Sequence, residues 1–393
     1  MKFLFFTILL LTAMIFTVDA VSAQKTTTKN GASSTTLPRA NADADGDGVT
    51  DWVVVRGAAA TSSVDNAANS FNKSAIPKSY RERAKLRRLQ QQSQTAPAPA
   101  RSAPLNWFTN SNKAGGAFSS AQFGSLETDF AVPEDFDGDG RDDIAVWRTG
   151  ATADGSAGFF ILQSQSGTVA FEQFGADGDD PTVTGDYDGD GKADPAVFRC
   201  PNAAAGQCYF FYRASSNNPN RAFSSVPFGY GTALEDITAA PGDYDGDGKY
   251  DFCIYRNIGG NVGQFVLSKS TDGAVEYINW GLFSDTIVPG DFDGDRKADF
   301  MLTRNQNGSL AWYLLTRTGG GTGASPHIWG LADSDFEVPG DYDGDGKTDI
   351  AVWRADADPD MNYYFVRRST NGKMLSFEWG QYGDFPVQNW YVH

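Results

Sequence analysis

The chain has 393 residues, 40% of them hydrophobic and 13% aromatic, which excludes wholesale disorder. Its 32 basic and 49 acidic residues leave a net charge of −17, which excludes the basic surface that nucleic acid or an anionic membrane requires. Clustered carboxylates point instead to cations, and the length permits either two or three ordinary domains or one large repeat architecture.

Residues 1–23 read as a secretory signal. Lys2 precedes an apolar run from Phe3 to Val18, and Val21-Ser22-Ala23 offers a small-residue cleavage site before Gln24. The alternative is a membrane anchor, but the run is short, and no later segment is apolar for long enough to span a bilayer. The mature chain is therefore expected to be exported, either secreted or at the cell surface, and monomeric. Residues 24–36 are a Thr/Ser/Lys-rich lead-in without periodicity, and residues 37–393 are expected to form a single domain.

Residues 40–56 read ANADADGDGVTDWVVVR, a string that returns five times. Before the second copy comes a segment, 57–103, that is Ala/Ser/Asn-rich, then basic (Arg81, Arg83, Lys85, Arg87, Arg88), then Pro/Ala-rich. Ser79 and Glu82 there have the spacing of a capping box for a short helix. The segment reads as an insertion whose basic helix either meets an acidic partner or is solvated. Strand-like sequence resumes at Leu105 and runs to Phe123-Gly124. The later copies are VPEDFDGDGRDDIAVWR (132–148), VTGDYDGDGKADPAVFR (183–199), APGDYDGDGKYDFCIYR (240–256), VPGDFDGDRKADFMLTR (288–304) and VPGDYDGDGKTDIAVWR (338–354). From Asp135 onward their first aspartates are spaced by 51, 57, 48 and 50 residues.

The acidic loops alternate with six aromatic-Gly pairs: Phe123-Gly124, Phe174-Gly175, Phe228-Gly229, Trp280-Gly281, Trp329-Gly330 and Trp379-Gly380. Between a loop and its pair come an apolar strand, a turn, an aromatic strand, a tight turn such as Asp272-Gly273 or Asn371-Gly372, and a further strand. With the Val-Pro stretch before the loop, each unit holds four short strands. This predicts an all-β fold, a β-propeller of six blades with four antiparallel strands each, with seven blades left open. The insertion then leaves one face of the first blade. The C-terminal run Asp384-Phe-Pro-Val-Gln-Asn-Trp begins a further unit without its acidic loop, and the N-terminus supplies such a loop. Pairing the two would close the ring and remove its edges, with residues 37–42 as the alternative source of that strand. Cys200 and Cys208 flank a small-residue loop between two strands and are placed for a disulfide in an oxidising compartment, whereas Cys253 reads as a buried small residue.

Within each loop the carboxylates keep a fixed spacing. Position 1 holds Asp43, Asp135, Asp186, Asp243, Asp291 and Asp341; position 3 holds Asp45, Asp137, Asp188, Asp245, Asp293 and Asp343; position 5 holds Asp47, Asp139, Asp190, Asp247, Asp295 and Asp345. Position 9 holds Asp51, Asp143, Asp194, Asp251, Asp299 and Asp349. Position 7 (Val49, Arg141, Lys192, Lys249, Lys297, Lys347) has only a backbone carbonyl to offer. Four carboxylates within nine residues repel one another unless a cation sits among them. Ca2+, which takes six to eight oxygens, suits such a set better than the smaller, strictly octahedral Mg2+. About six calcium sites are expected, and the alternative is ion-free Asp-Gly turns. Six divalent ions would bring the net charge from −17 to about −5. The loop is not an EF-hand, because position 12 is apolar in every copy (Val54, Val146, Val197, Ile254, Leu302, Val352). Arg296 replaces the position-6 glycine in the fifth loop and is expected to strain that turn.

The string V-P-G-D-[YF]-D-G-D-G-K-x-D, with an aromatic-Gly pair ahead of it, resembles the FG-GAP/VCBS repeat family, over roughly residues 37–56 and 105–390. The resemblance implies a calcium-stiffened propeller with ions in the loops joining the first two strands of each blade. It also implies binding of an extracellular protein or glycan, as in the propeller of integrin α chains. Those propellers have seven blades, whereas six loops are counted here.

No residue is assigned a catalytic role. The chain has two histidines, His327 in a strand and His393 at the end. A polysaccharide-active, lyase-like enzyme on the same scaffold is the alternative to a binding module. Two repeated features have two readings each. The arginines that end the strand after each loop (Arg56, Arg148, Arg199, Arg256, Arg304, Arg354) either read an acidic ligand or pair with a nearby Asp. The aromatics beside them (Trp147, Phe198, Tyr255, Trp353) either stack on sugars or fill the space between blades.

Overall fold

The computed structural model describes residues 42–57, 103–113, 116–126, 128–150, 156–201, 205–231, 237–323, 325–355 and 362–388. The residues read as a signal and lead-in, nearly all of the 57–103 segment including the stretch expected to form a basic helix, and His393 lie outside the described residues.

Six antiparallel sheets follow one another along the chain. Blade 1 contains β1 (Trp52–Gly57), β2 (Pro104–Asn110) and β3 (Phe118–Ser125). Blade 2 is β4 (Asp129–Ala131), β5 (Ile144–Arg148), β6 (Gly158–Leu162) and β7 (Val169–Gln173). Blade 3 is β8 (Ala196–Arg199), β9 (Gly206–Tyr212) and β10 (Ser224–Gly231). Blade 4 is β11 (Ile237–Ala239), β12 (Phe252–Asn257), β13 (Val262–Ser268) and β14 (Val275–Leu282). Blade 5 is β15 (Thr286–Ile287), β16 (Phe300–Gln306), β17 (Ser309–Leu315) and β18 (His327–Leu331). Blade 6 is β19 (Asp335–Glu337), β20 (Ile350–Arg354), β21 (Tyr363–Arg367) and β22 (Met374–Glu378). The fold is an all-β, six-bladed propeller. Five sheets have four strands; in the third, the first strand shrinks to a single bridge, Asp180 opposite Phe198.

The ring closes as the C-terminal sequence implied. A short strand β23 (Phe385–Pro386) pairs antiparallel with β1, Val54 opposite Pro386 and Val55 opposite Phe385. The C-terminal strand is therefore the first strand of blade 1; residues 37–41, the alternative source, lie outside the described residues. The Tyr364 hydroxyl donates to the Val53 carbonyl at 3.0 Å across the same seam.

The core lies between blades. Each second strand is apolar on both faces, as in β20 (Ile-Ala-Val-Trp, all buried), because a neighbouring blade covers each side. One buried cluster joins Val55 and Trp107 of blade 1 to Val146 of blade 2. Others join Trp147 to Val197, Phe198 to Ile254, Tyr255 to Leu302, Trp312 to Val352, and Trp353 back to Trp52 and Val54. Six shared wedges thus run round the full circle. Trp147, Phe198, Tyr255 and Trp353 are all buried, so these aromatics fill inter-blade space and present no sugar-stacking platform.

Candidate metal centres

Each acidic loop leads into the second strand of its blade, from the first strand in the same stretch of chain except in blade 1, whose first strand β23 is C-terminal, and its own backbone folds it around position 1. The Asp341 carboxylate accepts the N–H of Gly344 at 2.7 Å on Oδ1 and of Gly346 at 2.7 Å on Oδ2. The equivalent pairs on Asp43 are Gly46 (2.7 Å) and Gly48 (2.8 Å), and those on Asp243 are Gly246 (2.6 Å) and Gly248 (2.9 Å). The glycines at both positions sit at positive φ, where a Cβ is disfavoured. Arg296 holds φ at 68° in the fifth loop and still donates its N–H to Asp291 at 2.7 Å. The left-handed turn is kept there against the residue's own preference.

Position 9 ties the loop to two other segments. Its backbone N–H bonds back to the residue before the loop, as Asp349 does to the Gly340 carbonyl at 2.7 Å. Its carboxylate accepts the position-2 N–H on one oxygen, as Asp349 does from Tyr342 at 3.0 Å. The other oxygen accepts an N–H from the turn between the third and fourth strands: Asn112 to Asp51 (2.8 Å), Ser164 to Asp143 (2.6 Å), Ser215 to Asp194 (2.6 Å), Ser270 to Asp251 (2.7 Å), Arg317 to Asp299 (3.1 Å) and Ser369 to Asp349 (2.6 Å). Hydroxyls of the same turn reach positions 3 and 5: Thr271 to Asp245 at 2.6 Å, Thr370 to Asp343 at 2.5 Å and Ser369 to Asp345 at 2.9 Å. This second turn is the part of the site that the repeat motif does not reveal. Its faint signal is the hydroxyl residue recurring at nearly the same offset from the first Asp (Ser164, Ser215, Ser270, Ser369). In the first blade a cation joins it, the Lys113 ammonium lying 3.4 Å from Asp45 and 3.0 Å from Asp47.

Carboxylate oxygens converge in these loops. Those of Asp43, Asp45 and Asp51 lie within 4.8 Å of one another, as do those of Asp135, Asp137 and Asp143, of Asp186, Asp188 and Asp194, and of Asp243, Asp245 and Asp251. In the fifth loop the group is Asp291, Asp293 and Asp295. Asp245 Oδ1 and Asp343 Oδ1 are buried without a hydrogen-bond partner. A buried, unsatisfied carboxylate oxygen is costly, and a hard cation is the partner that an all-oxygen set provides for. Burial pushes the position-9 carboxyls well above the ordinary carboxylate range, to about 6 for Asp143 and Asp251 and about 7 for Asp51, Asp194, Asp299 and Asp349. Burial likewise raises Asp43, Asp186, Asp243, Asp291 and Asp341 against the lowering effect of their backbone donors.

The loops also touch one another. The N–H at position 8 of each donates to the carbonyl of the position-1 aspartate in the preceding loop: Asp142 to Asp43 (2.8 Å), Ala193 to Asp135 (2.8 Å), Tyr250 to Asp186 (2.6 Å), Ala298 to Asp243 (2.7 Å) and Thr348 to Asp291 (2.6 Å). Thr50 closes the circle onto Asp341 at 2.8 Å. Lys192 and Lys347 add their ammonium groups, donating to the carbonyls of Asp137 (2.9 Å) and Asp293 (2.8 Å) one loop back.

At the opposite end of the blades the arginines are paired internally. Arg148 grips Asp129 with Nε at 2.5 Å and Nη2 at 2.7 Å, and Arg354 grips Asp335 with both at 2.7 Å. Arg56 with Asp384, Arg199 with Asp179 and Arg304 with Asp285 repeat the arrangement. The same aspartate accepts a backbone N–H just after the preceding aromatic-Gly pair, as Asp129 does from Ser125 at 2.8 Å. Arg256 departs, donating to Gln264 at 3.0 and 2.7 Å. Five of the six guanidinium groups are thus paired within their own blade, to an aspartate that also bonds the end of the preceding unit, and form no ligand-reading ring. The sulfurs of Cys200 and Cys208 lie 2.01 Å apart as a disulfide at this same end, and Cys253 is free and buried. His327 stands half-buried on β18; burial lowers its basicity, as does the Arg367 charge.

No curated protein matches the chain. Among solved structures it is similar to TolB from Acinetobacter baumannii, with 16% identity over 71% of this chain and 61% of that one and a TM-score of 0.44. It thus spans about three fifths of that TolB chain. It is also similar to a triple arginine-to-alanine mutant of AofleA from Arthrobotrys oligospora, with 10% identity over 72% of this chain and 82% of that one and a TM-score of 0.39. Residues 291–352, from the fifth acidic loop into β20, match the model of the FG-GAP-like repeat, so this stretch of the six-bladed propeller is similar to that repeat.

Proposed function

We propose that this chain is an exported calcium-binding propeller that serves as a binding or adhesion module for an extracellular protein or glycan. The observation that carries the calcium reading is the repetition of one carboxylate nest around the ring, with oxygens such as Asp245 Oδ1 and Asp343 Oδ1 buried and unmatched. In each loop the carboxylates of positions 1, 3, 5 and 9 and the carbonyl of position 7 would hold the ion. Calcium would supply positive charge that neutralises these groups and orders the loop. Affinities in the range of extracellular modules, about 10⁻⁴–10⁻³ M, would suffice in that setting. Export is supported by the signal-like residues 1–23.

The binding role is supported by how the polar groups are used. The loop carboxylates are held by backbone donors, and five of the arginines are held by aspartates, which fits a scaffold more than a reacting centre. Metal counting on protein purified in calcium should find about six ions per chain, and EDTA should lower the Tm by more than about 10 °C. Ion-free protein with an unchanged Tm would overturn the calcium reading. Calcium-dependent retention on a glycan array or of a surface protein would support the binding role. Release of ultraviolet-absorbing unsaturated sugar from polysaccharide would replace it with a lyase.

A further inference from the structure

The bonds between neighbouring loops pass through a peptide unit that also belongs to a cation site. The carbonyl of position 7 and the N–H of position 8 are the two ends of one amide. In the sixth loop the N–H end of that amide, on Thr348, donates at 2.6 Å to the carbonyl of Asp291, the first residue of the fifth loop. An ion drawing on the carbonyl end polarises the amide and strengthens what its N–H donates. The acceptor is the backbone of the very residue whose carboxylate anchors the next site. Thr50 and Asp341 close the series at 2.8 Å, so the chain of contacts has no end.

We propose that the six cation sites are energetically coupled nearest neighbours on a closed ring and fill cooperatively. This rests on the calcium reading above. The first ion orders its own loop and, through the shared amide, the anchor of the loop before it; the next ion finds part of that ordering done. The lysines at position 7 reinforce the link, because Lys192 and Lys347 reach back to the carbonyls of Asp137 and Asp293. Repulsion between ions works against coupling. Added salt screens that repulsion, so the coupling should strengthen as ionic strength rises.

The test is a calorimetric calcium titration of the full chain and of Asp343→Asn, which removes one carboxylate from the sixth loop. Coupling predicts a steep isotherm with a Hill coefficient of about 2 or more, and in the variant a roughly five- to tenfold weakening of the sites that remain. A non-cooperative isotherm, with the variant losing one site and the others unchanged, overturns the coupling and leaves the calcium reading intact. No calcium uptake at all overturns both. Hydrogen exchange on the unmodified chain at half saturation gives an answer that needs no variant. Coupled sites give two populations, protected or open together at all the position-8 amides; independent sites give one graded population.

Discussion

The position-9 aspartates set how the molecule responds to acid. Their carboxyls lie at about 6 to 7 in the ion-free fold against an ordinary 3.8, because burial disfavours the charged form. A raised carboxyl contributes stability that is complete below the ordinary value and is lost as pH rises through the folded value. Ion-free protein should therefore melt higher at pH 5 than at pH 8, and the gain in Tm on adding calcium should grow over that interval, as read by scanning calorimetry with and without EDTA. A calcium effect independent of pH would contradict this assignment. The first loop has a cation of its own in Lys113, and Lys113→Gln should tighten calcium binding at the site proposed there several-fold at low ionic strength, an effect that salt erodes. In the fifth loop Arg296→Gly should raise stability by up to about 1 kcal/mol, because relief at φ 68° outweighs the extra freedom of glycine in the unfolded chain. These carboxylates were legible in the sequence because they are local and strictly spaced. Their partners in the second turn were only faintly so, because they act mainly through backbone N–H groups: Asn112 and Arg317 leave no shared side-chain signature, and only the recurring serine marks the other turns.

At the scale of the element, the aromatic-Gly pair is a bulge in the outermost strand of four sheets, those of blades 1, 3, 4 and 5. The register of β13 against β14 shifts between Val262 and Gln264, with Gly281 at φ 71° in the gap. A Cβ on Gly281 would fall 2.1 Å from Leu302 Cδ1 in the next blade. Gly281→Ala should therefore cost about 2–4 kcal/mol from backbone strain and overpacking, seen as a lower urea midpoint at unchanged slope. The Arg-Asp pin lies beside such a bulge, and Asp335→Asn should cost about 2 kcal/mol by the same measurement, since it removes the charge that Arg354 grips at 2.7 Å. Strand existence and order were readable from the alternation of apolar runs with Asp-Gly and Asn-Gly turns. The missing first strand of blade 3 was not. There Pro181 lacks an N–H for the ladder, and the pinning Asp179 stands one residue farther from its loop than Asp129 or Asp335 does.

For the whole molecule, closure depends on a few residues at one seam. Removing the chain from Asp384 onward deletes β23, takes the carboxylate from Arg56 and bares the edge of β1. That truncation should lower the Tm and produce self-association on size-exclusion chromatography, whereas an equally large and purely local effect would leave a monomer. The linked loops on one end of the propeller have a further consequence. Every one of them is bonded forward and backward, so inserting a single residue there would break two contacts at once. The connections at the other end vary widely in length, from Asn307–Gly308 between β16 and β17 to the whole 58–103 segment between β1 and β2. One side of the disc is closed to changes in length while the other accepts them, so diversification and engineered grafts should accumulate on the permissive side.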